Sequence, residues 1–476
     1  MSDQVSSAVR LQPTPTPKSR LFTRVHVQAG VARRDITPPV DIYFRSWGAA
    51  LKDNADGVHR PFSVTALVLR ENANARPVVL VAVDAGWWQD GADEKFVRGS
   101  VLEALDLDPA AVMISLSHTH AGPSIAIGNA GKPGGHLIAP YLELVRSQIV
   151  DASRQALAAI ADCELVWATG RSDLATQRSL PDPAGGRYLT GYHPHGPADD
   201  TLMVGRLTDR DGKQLATVVN YACHPTTLAW DNTKLSPDYI GAMRETVEAA
   251  TDGAPCMFLL GAAGEMAPAW QYEGDVAVAD KHGRRLGLAV CSTLEGMLEP
   301  GRDLVYEGVV ESGAPLGVWR SRPASEASRG VTARRVELSL PVKSDYPTLE
   351  VINRELAAAV EPYLIERWSR KARLRRTLGD ADTYRFSVWV WKVGDSFIVG
   401  YPGEAFTALQ RDLRSAFPDY RIIVMNVTNG SIGYLPPSEL YDYDMYEVWQ
   451  TPLDRGCHEA IRDACLATIG ELARNS

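Results

Sequence analysis

The chain has 476 residues, of which 45% are hydrophobic, 22% charged and 8% aromatic. This composition excludes a disordered, collagen-like or coiled-coil chain, and the length allows a large core that needs no disulfide to fold. The formal net charge of −9 argues against a dedicated nucleic-acid-binding protein, which would carry a concentrated basic surface.

The N-terminal segment does not resemble a secretory signal, because its first 25 residues contain no apolar core. Residues 1–25, which include the stretch PTPTP, are predicted to form a flexible arm. No window approaches the roughly 18 consecutive apolar residues of a membrane helix, so we expect no transmembrane segment. Together these features predict a cytoplasmic protein.

The first 300 residues alternate apolar runs with helical patterns, which favours an α/β fold. Buried strands are predicted at residues 63–69, 77–83, 111–116, 214–221 and 255–260. Helices are predicted at residues 93–107, 140–160, 238–250 and 276–298. This order indicates mixed sheets in which crossover helices join parallel strands.

After about residue 300 the pattern becomes β-rich. Residues 304–342 alternate like antiparallel strands, and residues 386–399 predict a hairpin. Between them, residues 348–378 predict one long charged helix. Its basic run RKARLRR, at residues 370–376, is interpreted as a solvated face.

Domain boundaries leave little trace in the sequence. No linker-like composition marks residue 300, so residues 26–476 are predicted to form a single catalytic domain. A subdivision near residue 300 is the alternative.

Two histidines directly follow the strand predicted at residues 111–116, in the sequence SHTHAGP. In an extended chain, residues two apart point to the same side, so His118 and His120 are expected to emerge together. The carboxyl ends of strands are where open α/β sheets bind ligands. The pair is a moderate indication of a metal site, and two hydrogen-bonded or exposed histidines are the alternative.

Further candidate ligands also follow predicted strands. His224 ends the apolar segment VVNYACH, and Glu404 could supply the anionic ligand that two neutral histidines need. A carboxylate that starts a helix is the other interpretation of Glu404. Asp84 could orient a ligand histidine, or merely start a loop. Gly261 opens the segment GAAGE, which allows close approach of a ligand or forms a tight turn.

Six segments then occur in a fixed order between residues 30 and 450. They are GVARRDITPP (30–39), SHTHAGP (117–123), NYACHPTTL (220–228), FLLGAAGEMAP (258–268), YPGEAF (401–406) and TNGSIGYLPPSELYDYDMYE (428–447). In this order they resemble the catalytic domain of neutral (alkaline, non-lysosomal) ceramidases, which are zinc-dependent amide hydrolases. Full-length members carry a further C-terminal β-sandwich, so we expect a catalytic-domain-only member of the family.

The resemblance implies one zinc ion per chain, held by His118, His224, Glu404 and Tyr434. It further implies three residues that face the substrate, namely His120, Arg178 and Tyr441, and we place Gly261 with them. Two histidines with oxygen ligands can also accept another divalent metal such as manganese or iron.

The expected reaction is hydrolysis of a carboxamide by a water that zinc activates. His120 is favoured over Glu404 for passing a proton to the leaving amine, and His120 or Tyr434 would stabilise the oxyanion. The chain length and the missing signal favour a small amide, such as an N-acyl amino acid, over ceramide. A true ceramidase and a non-catalytic binding scaffold are the alternatives. The expected partner is a small-molecule amide, and a homo-oligomer is compatible with the sequence.

Overall fold

The computed structural model describes residues 22–324 and 327–474. Residues 1–21, most of the predicted arm, lie outside the described residues. The first strand begins at Thr23, so the last three residues of the predicted arm belong to a sheet. Within the described ranges, no helix has both the length and the apolar character that a membrane crossing requires.

The strands of the N-terminal part follow in chain order. They are β1 (Thr23–Asp35), β2 (Gly57–Val58), β3 (Ser63–Arg70), β4 (Val78–Val83), β5 (Val112–Leu116), β6 (Ala161–Arg171), β7 (Ala175–Gln177), β8 (Ser179–Pro181), β9 (Tyr188–Thr190), β10 (Thr201–Asp209), β11 (Gln214–Tyr221), β12 (Lys234–Leu235), β13 (Cys256–Leu260) and β14 (Met266–Pro268).

The remaining strands and the helices complete the secondary structure. The strands are β15 (Arg302–Glu311), β16 (Pro315–Pro323), β17 (Val331–Pro341), β18 (Thr383–Val393), β19 (Ser396–Gly400), β20 (Glu404–Ala405), β21 (Arg421–Met425) and β22 (Tyr434–Leu435). The helices are α1 (Gly91–Leu105), α2 (Ile138–Ala158), α3 (Tyr239–Ala250), α4 (Val276–Glu295), α5 (Leu349–Ala358), α6 (Pro362–Leu378), α7 (Thr407–Ala416), α8 (Tyr446–Gln450) and α9 (Cys457–Arg474).

The largest sheet has eight strands in the order β13–β11–β10–β6–β1–β3–β4–β5. The pairs β4–β5 and β11–β13 are parallel, and α1 and α3 make the two crossovers. The predicted α/β fold with mixed sheets and crossover helices is therefore confirmed. The pairs β3–β4 and β10–β11 are antiparallel, because their links, residues 71–77 and 210–213, are too short for a parallel crossover. The central strands β1, β3, β6 and β10 also pair antiparallel.

A four-stranded sheet, β17–β18–β19–β21, packs against one face of the large sheet. In β18, Trp389 and Trp391 point toward the large sheet, whereas Val388 and Val390 point to the other side. Period-two alternation of apolar residues thus serves two cores at once. Helices α1–α4 cover the large sheet and α7 and α9 cover the small one, which gives four layers.

The prediction of one long charged helix at residues 348–378 is wrong in one respect, because the structure has two helices there. Helix α5 ends at Ala358 and α6 begins at Pro362. Glu361 is extended, with φ −73° and ψ 130°, as steric contact with a following proline favours. Proline itself fits the first helical position, where its missing N–H would have no partner.

The two edge strands of the large sheet, β5 and β13, lie against each other because the sheet curls. The segment that follows β21 joins them. The Asn426 amide donates to the Leu260 carbonyl at 3.0 Å, and the Asn429 amide donates to the Ile114 carbonyl at 3.0 Å. The carboxyl ends of β5, β11 and β13 therefore meet at one place, beside the loop before β20.

We expect Ile423→Val to destabilise the protein by about 0.5–1.5 kcal/mol, because it leaves a small void between the two sheets. Ile423 is fully buried in the core that they share. Ile127→Val makes the same chemical change at a side chain that is 41% exposed, and should shift the unfolding midpoint less. Equal shifts in urea unfolding would contradict close packing between the sheets.

Candidate metal centre and substrate cavity

Three buried side chains converge where the strand ends meet. One nitrogen from each of His118 and His224 and one oxygen of Glu404 lie within 4.8 Å of one another. The His118 and His224 Nε2 atoms lie 3.3 Å and 3.1 Å from Glu404 Oε2. None of the three residues is more than 6% exposed. Two imidazole nitrogens and a carboxylate oxygen form a donor set that suits a divalent transition metal.

The backbone orients both histidines through their other ring nitrogens. His118 Nδ1 lies 3.1 Å from the Gly86 carbonyl oxygen, and His224 Nδ1 lies 2.6 Å from that of Ala263. A carbonyl oxygen can only accept, so each Nδ1 carries the proton and donates it. Each Nε2 is then left with its lone pair for a metal ion, which is how protein histidines are usually prepared as ligands.

The backbone at His118 differs from the extended geometry that we predicted. His118 lies beyond the end of β5 in a left-handed conformation, with φ 66°. Its amide donates to the Ala85 carbonyl at 2.8 Å, so the loop after β4 holds this uncommon backbone in place. The rings of His118 and His120 still lie side by side, with centroids 4.9 Å apart.

Two interpretations of Asp84 were open, and the structure favours the start of a loop, because its carboxylate contacts Ser63 and Arg244 and not a ligand histidine. Asp84 forms a buried ion pair with Arg244, at 2.7 Å, and accepts the Ser63 amide at 2.8 Å. It therefore anchors the loop whose carbonyls, at Ala85 and Gly86, hold His118.

Glu404 and Tyr434 are register partners in the two-stranded parallel sheet β20–β22. The Tyr434 ring stacks on His224 at a centroid distance of 6.2 Å, and its hydroxyl oxygen accepts from Arg178 Nη2 at 2.9 Å. Arg178 also forms a buried ion pair with Glu447 at 3.2 Å. Because Arg178 donates to the tyrosine oxygen, the Tyr434 proton is free to point elsewhere.

Burial and neighbouring groups set the charges of these residues. Burial lowers the pKa of His224 to about 4, which favours the neutral ring. Burial alone would raise the pKa of Glu404, but the adjacent His118 and His224 hold it well below its ordinary value. Burial raises the pKa of Tyr434 well above its ordinary value, against the opposing effect of Arg178. The group thus presents the neutral imidazole of His224, a carboxylate and a phenol.

His120 lies outside the group of three, on the side of the cavity. Its Nε2 is 3.4 Å from His118 Nε2, and its ring lies between Trp47 and Trp87, at 5.2 Å from each centroid. Its Nδ1 is buried and has no hydrogen-bond partner in the described part of the chain. Burial, followed by the nearby His118 and His224, lowers its pKa well below its ordinary value. A neutral imidazole at this place can take up or release a proton.

A cavity of about 410 Å³ opens beside His120. Both it and a smaller cavity that reaches His118 and Glu404 are lined by His120, Tyr434, Tyr446 and Arg370. Arg178 also lines the larger cavity. Its walls carry many aromatic side chains, which are Trp47, Trp230, Tyr272, Tyr363, Tyr434, Tyr446 and Trp449.

Two residues that we predicted at the substrate have other roles. The Tyr441 hydroxyl donates to the Leu453 carbonyl at 3.1 Å, away from the cavity. Tyr446 lines the cavity where Tyr441 was expected. At Gly261, a Cβ atom would meet backbone and side chain of Ala222 at 2.9 Å. The glycine therefore allows two protein segments to pack together, not a ligand to approach.

The basic run at residues 370–376 was predicted to be a solvated face, and this prediction is only partly right. Arg370 and Lys371 line the larger cavity, together with Arg367 one turn earlier in α6. A charge run on an isolated helix gives no indication of what packs opposite. The wall residues Trp47 and Trp87 were also missed, because tryptophans in loops carry no periodic pattern.

Comparison with known proteins agrees with this geometry. Residues 27–257 match the family model of neutral/alkaline non-lysosomal ceramidase, N-terminal. Neutral ceramidase from Pseudomonas aeruginosa has a similar structure, with a TM-score of 0.66 and 16% identity over 93% of this chain and 74% of that one. A structure described as ceramidase complexed with C2 gives a TM-score of 0.62 and 16% identity, with the same coverage.

A search among curated proteins finds no significant match. The match to the N-terminal family model places residues 27–257 in the neutral/alkaline non-lysosomal ceramidase family, and the chain shares the fold of the two ceramidase structures over nearly its whole length.

Proposed function

We propose that the protein is a zinc-dependent hydrolase that cleaves a carboxamide bond. The observation that carries the proposal is the convergence of His118, His224 and Glu404 at the inner end of an aromatic cavity. The donor atoms are buried, and backbone carbonyls orient the histidines. Among the described residues, Glu404 forms no ion pair with a lysine or an arginine, so its negative charge is available to a cation. Such a group fits a divalent cation better than it fits a structural hydrogen-bond network.

His118, His224 and Glu404 would hold the metal, with Tyr434 as a fourth ligand. A bound zinc ion supplies a Lewis acid and brings the pKa of a water ligand close to neutrality. The register pairing of Tyr434 with Glu404 supports its place in the set. If Tyr434 stays outside the coordination sphere, its hydroxyl proton is free to stabilise an oxyanion, since Arg178 occupies its oxygen.

His120 is proposed to carry the proton to the leaving amine. It borders both cavities, its ring is neutral, and its buried Nδ1 lacks a partner that would fix the proton. Glu404 is less suited to this task, because its Oε2 already faces two imidazoles. Arg178 would contact the substrate from the cavity wall, at a position fixed by Glu447.

Residues 26–476 are proposed to act as one catalytic unit. The two histidine ligands follow β5 and β11, and Glu404 belongs to β20, so both parts of the chain supply the site. For the substrate we favour a small amide over ceramide. Long-chain ceramide is the second candidate, supported by the family match.

Chelation tests the metal dependence. Dialysis against a chelator is expected to abolish amide hydrolysis, and stoichiometric Zn²⁺ should restore it, because no other group of the site can ionise a water near neutral pH. Zinc content by atomic absorption and turnover of an amide panel that includes long-chain ceramide are the measurements. A zinc-free protein whose activity is insensitive to the chelator would overturn the proposal, and turnover of ceramide alone would favour the second candidate.

A further inference from the structure

The larger cavity carries more positive than negative charge. Its wall includes four cations, Arg178, Arg367, Arg370 and Lys371, and one carboxylate, Glu366. Arg178 is paired with Glu447, and Arg370 with Glu366 at 2.6 Å. Two cations are then left over. Arg367 is exposed and Lys371 is half-buried, so both are accessible to an anion that enters the cavity.

Arg367 and Lys371 form no ion pair in the part of the chain that the structure describes. Arg367 instead lies over the Trp449 ring, with its guanidinium carbon 4.2 Å from the centroid, and Lys371 lies 5.5 Å from that of Trp368. Burial, with repulsion from Arg367 as the next cause, lowers the pKa of Lys371. A guanidinium that covers an indole face keeps the N–H groups at its edge available for a planar acceptor.

Helix α6 arranges these cations in a row that leads toward the metal group. Arg367, Arg370 and Lys371 are three and four residues apart, so they share one face of the helix. Arg370 borders both the inner and the larger cavity, whereas Arg367 and Lys371 border only the larger one. If Arg367 and Lys371 bound an acidic group of the substrate, the rest of the substrate would be directed toward His120.

We propose that the substrate is an N-acyl amino acid, whose carboxylate is bound by Arg367 and Lys371 while its amide lies at His120. This inference rests on the proposed amide hydrolase function and specifies its substrate class. The aromatic walls contributed by Trp47, Trp230 and Trp449 suit an apolar acyl chain or an aromatic side chain. Neutral long-chain ceramide would leave both cations without an anionic partner.

The test compares N-octanoyl-L-phenylalanine with N-octanoyl-phenethylamine, which differ only by the carboxylate. With the zinc-loaded protein, the carboxylate should lower KM roughly tenfold or more, as expected for one charge-assisted hydrogen bond. Arg367→Gln and Lys371→Gln should each remove most of that advantage by raising KM for the acid more than KM for the neutral amide. Arg376→Gln, which removes an exposed arginine of the same helix outside the cavity, is the matched control and should change neither amide.

Quenching of the cavity tryptophans measures binding independently of turnover. If both amides are hydrolysed with equal KM, the carboxylate inference is overturned and the hydrolase proposal stands. If neither is hydrolysed but the acid binds more tightly, and loses this preference in Arg367→Gln, the carboxylate site at Arg367 and Lys371 stands and the hydrolase proposal fails for these amides. Absence of any preference in both assays overturns the inference.

Discussion

His118→Ala should yield a protein that holds no stoichiometric zinc and hydrolyses no amide, whereas His120→Ala should keep its zinc and lose only turnover. The two residues are two positions apart in one loop, yet only His118 belongs to the group whose donor atoms lie within 4.8 Å. Removing His118 leaves a single imidazole beside the Glu404 carboxylate and the proposed Tyr434 oxygen, so the site loses one of its two nitrogen donors and should no longer hold zinc tightly.

Removal of His120 tests the proton-transfer role separately from metal binding. We expect kcat to fall by about 10²–10⁴-fold, the usual contribution of a general acid or base, with zinc content unchanged. Zinc analysis, circular dichroism and steady-state kinetics on the same preparations separate the two effects. Loss of zinc from His120→Ala, or stoichiometric zinc in His118→Ala, would contradict the ligand assignment.

Arg244→Met is expected to have the largest effect on stability, about 3–5 kcal/mol, because it leaves the Asp84 carboxylate buried without its ion-pair partner. Asp84 is 2% exposed and its pair with Arg244 spans 2.7 Å. The same change should weaken zinc binding by roughly 10–100-fold, since the loop after Asp84 supplies the carbonyls that hold His118.

Two controls distinguish loss of the ion pair from loss of a side chain. Arg76→Met breaks an exposed ion pair with Asp106 and should leave the urea midpoint unchanged. Adding Asp84→Leu to Arg244→Met should recover part of the stability, because a buried ion pair replaced on both sides by apolar groups is often well tolerated. No recovery in the double variant, together with normal zinc affinity in Arg244→Met, would show that the pair does not support the loop.

Local patterns predicted much of this fold because local physics decides it. Continuous apolar runs predicted β4, β5, β11 and β13 nearly to the residue. In β18, successive apolar residues are all buried because a core lies on each side of that strand. Sheet pairing was harder to predict. In the large sheet the two parallel pairs are those whose strands are joined through a helix, α1 or α3, whereas short links make β3–β4 and β10–β11 antiparallel.

The sequence by itself determined the chemistry that is available: two histidines and a carboxylate after apolar strands, a tyrosine-rich segment and six ordered motifs. It could not determine their convergence, because β5 and β13 are opposite edges of one sheet, and only its curl, with residues 426–429 between them, brings His118 to His224. Nor could it show which way the basic run of α6 faces. Helical periodicity gives the angle between side chains on one helix, whereas the surface that a helix covers depends on contacts between residues far apart in the chain.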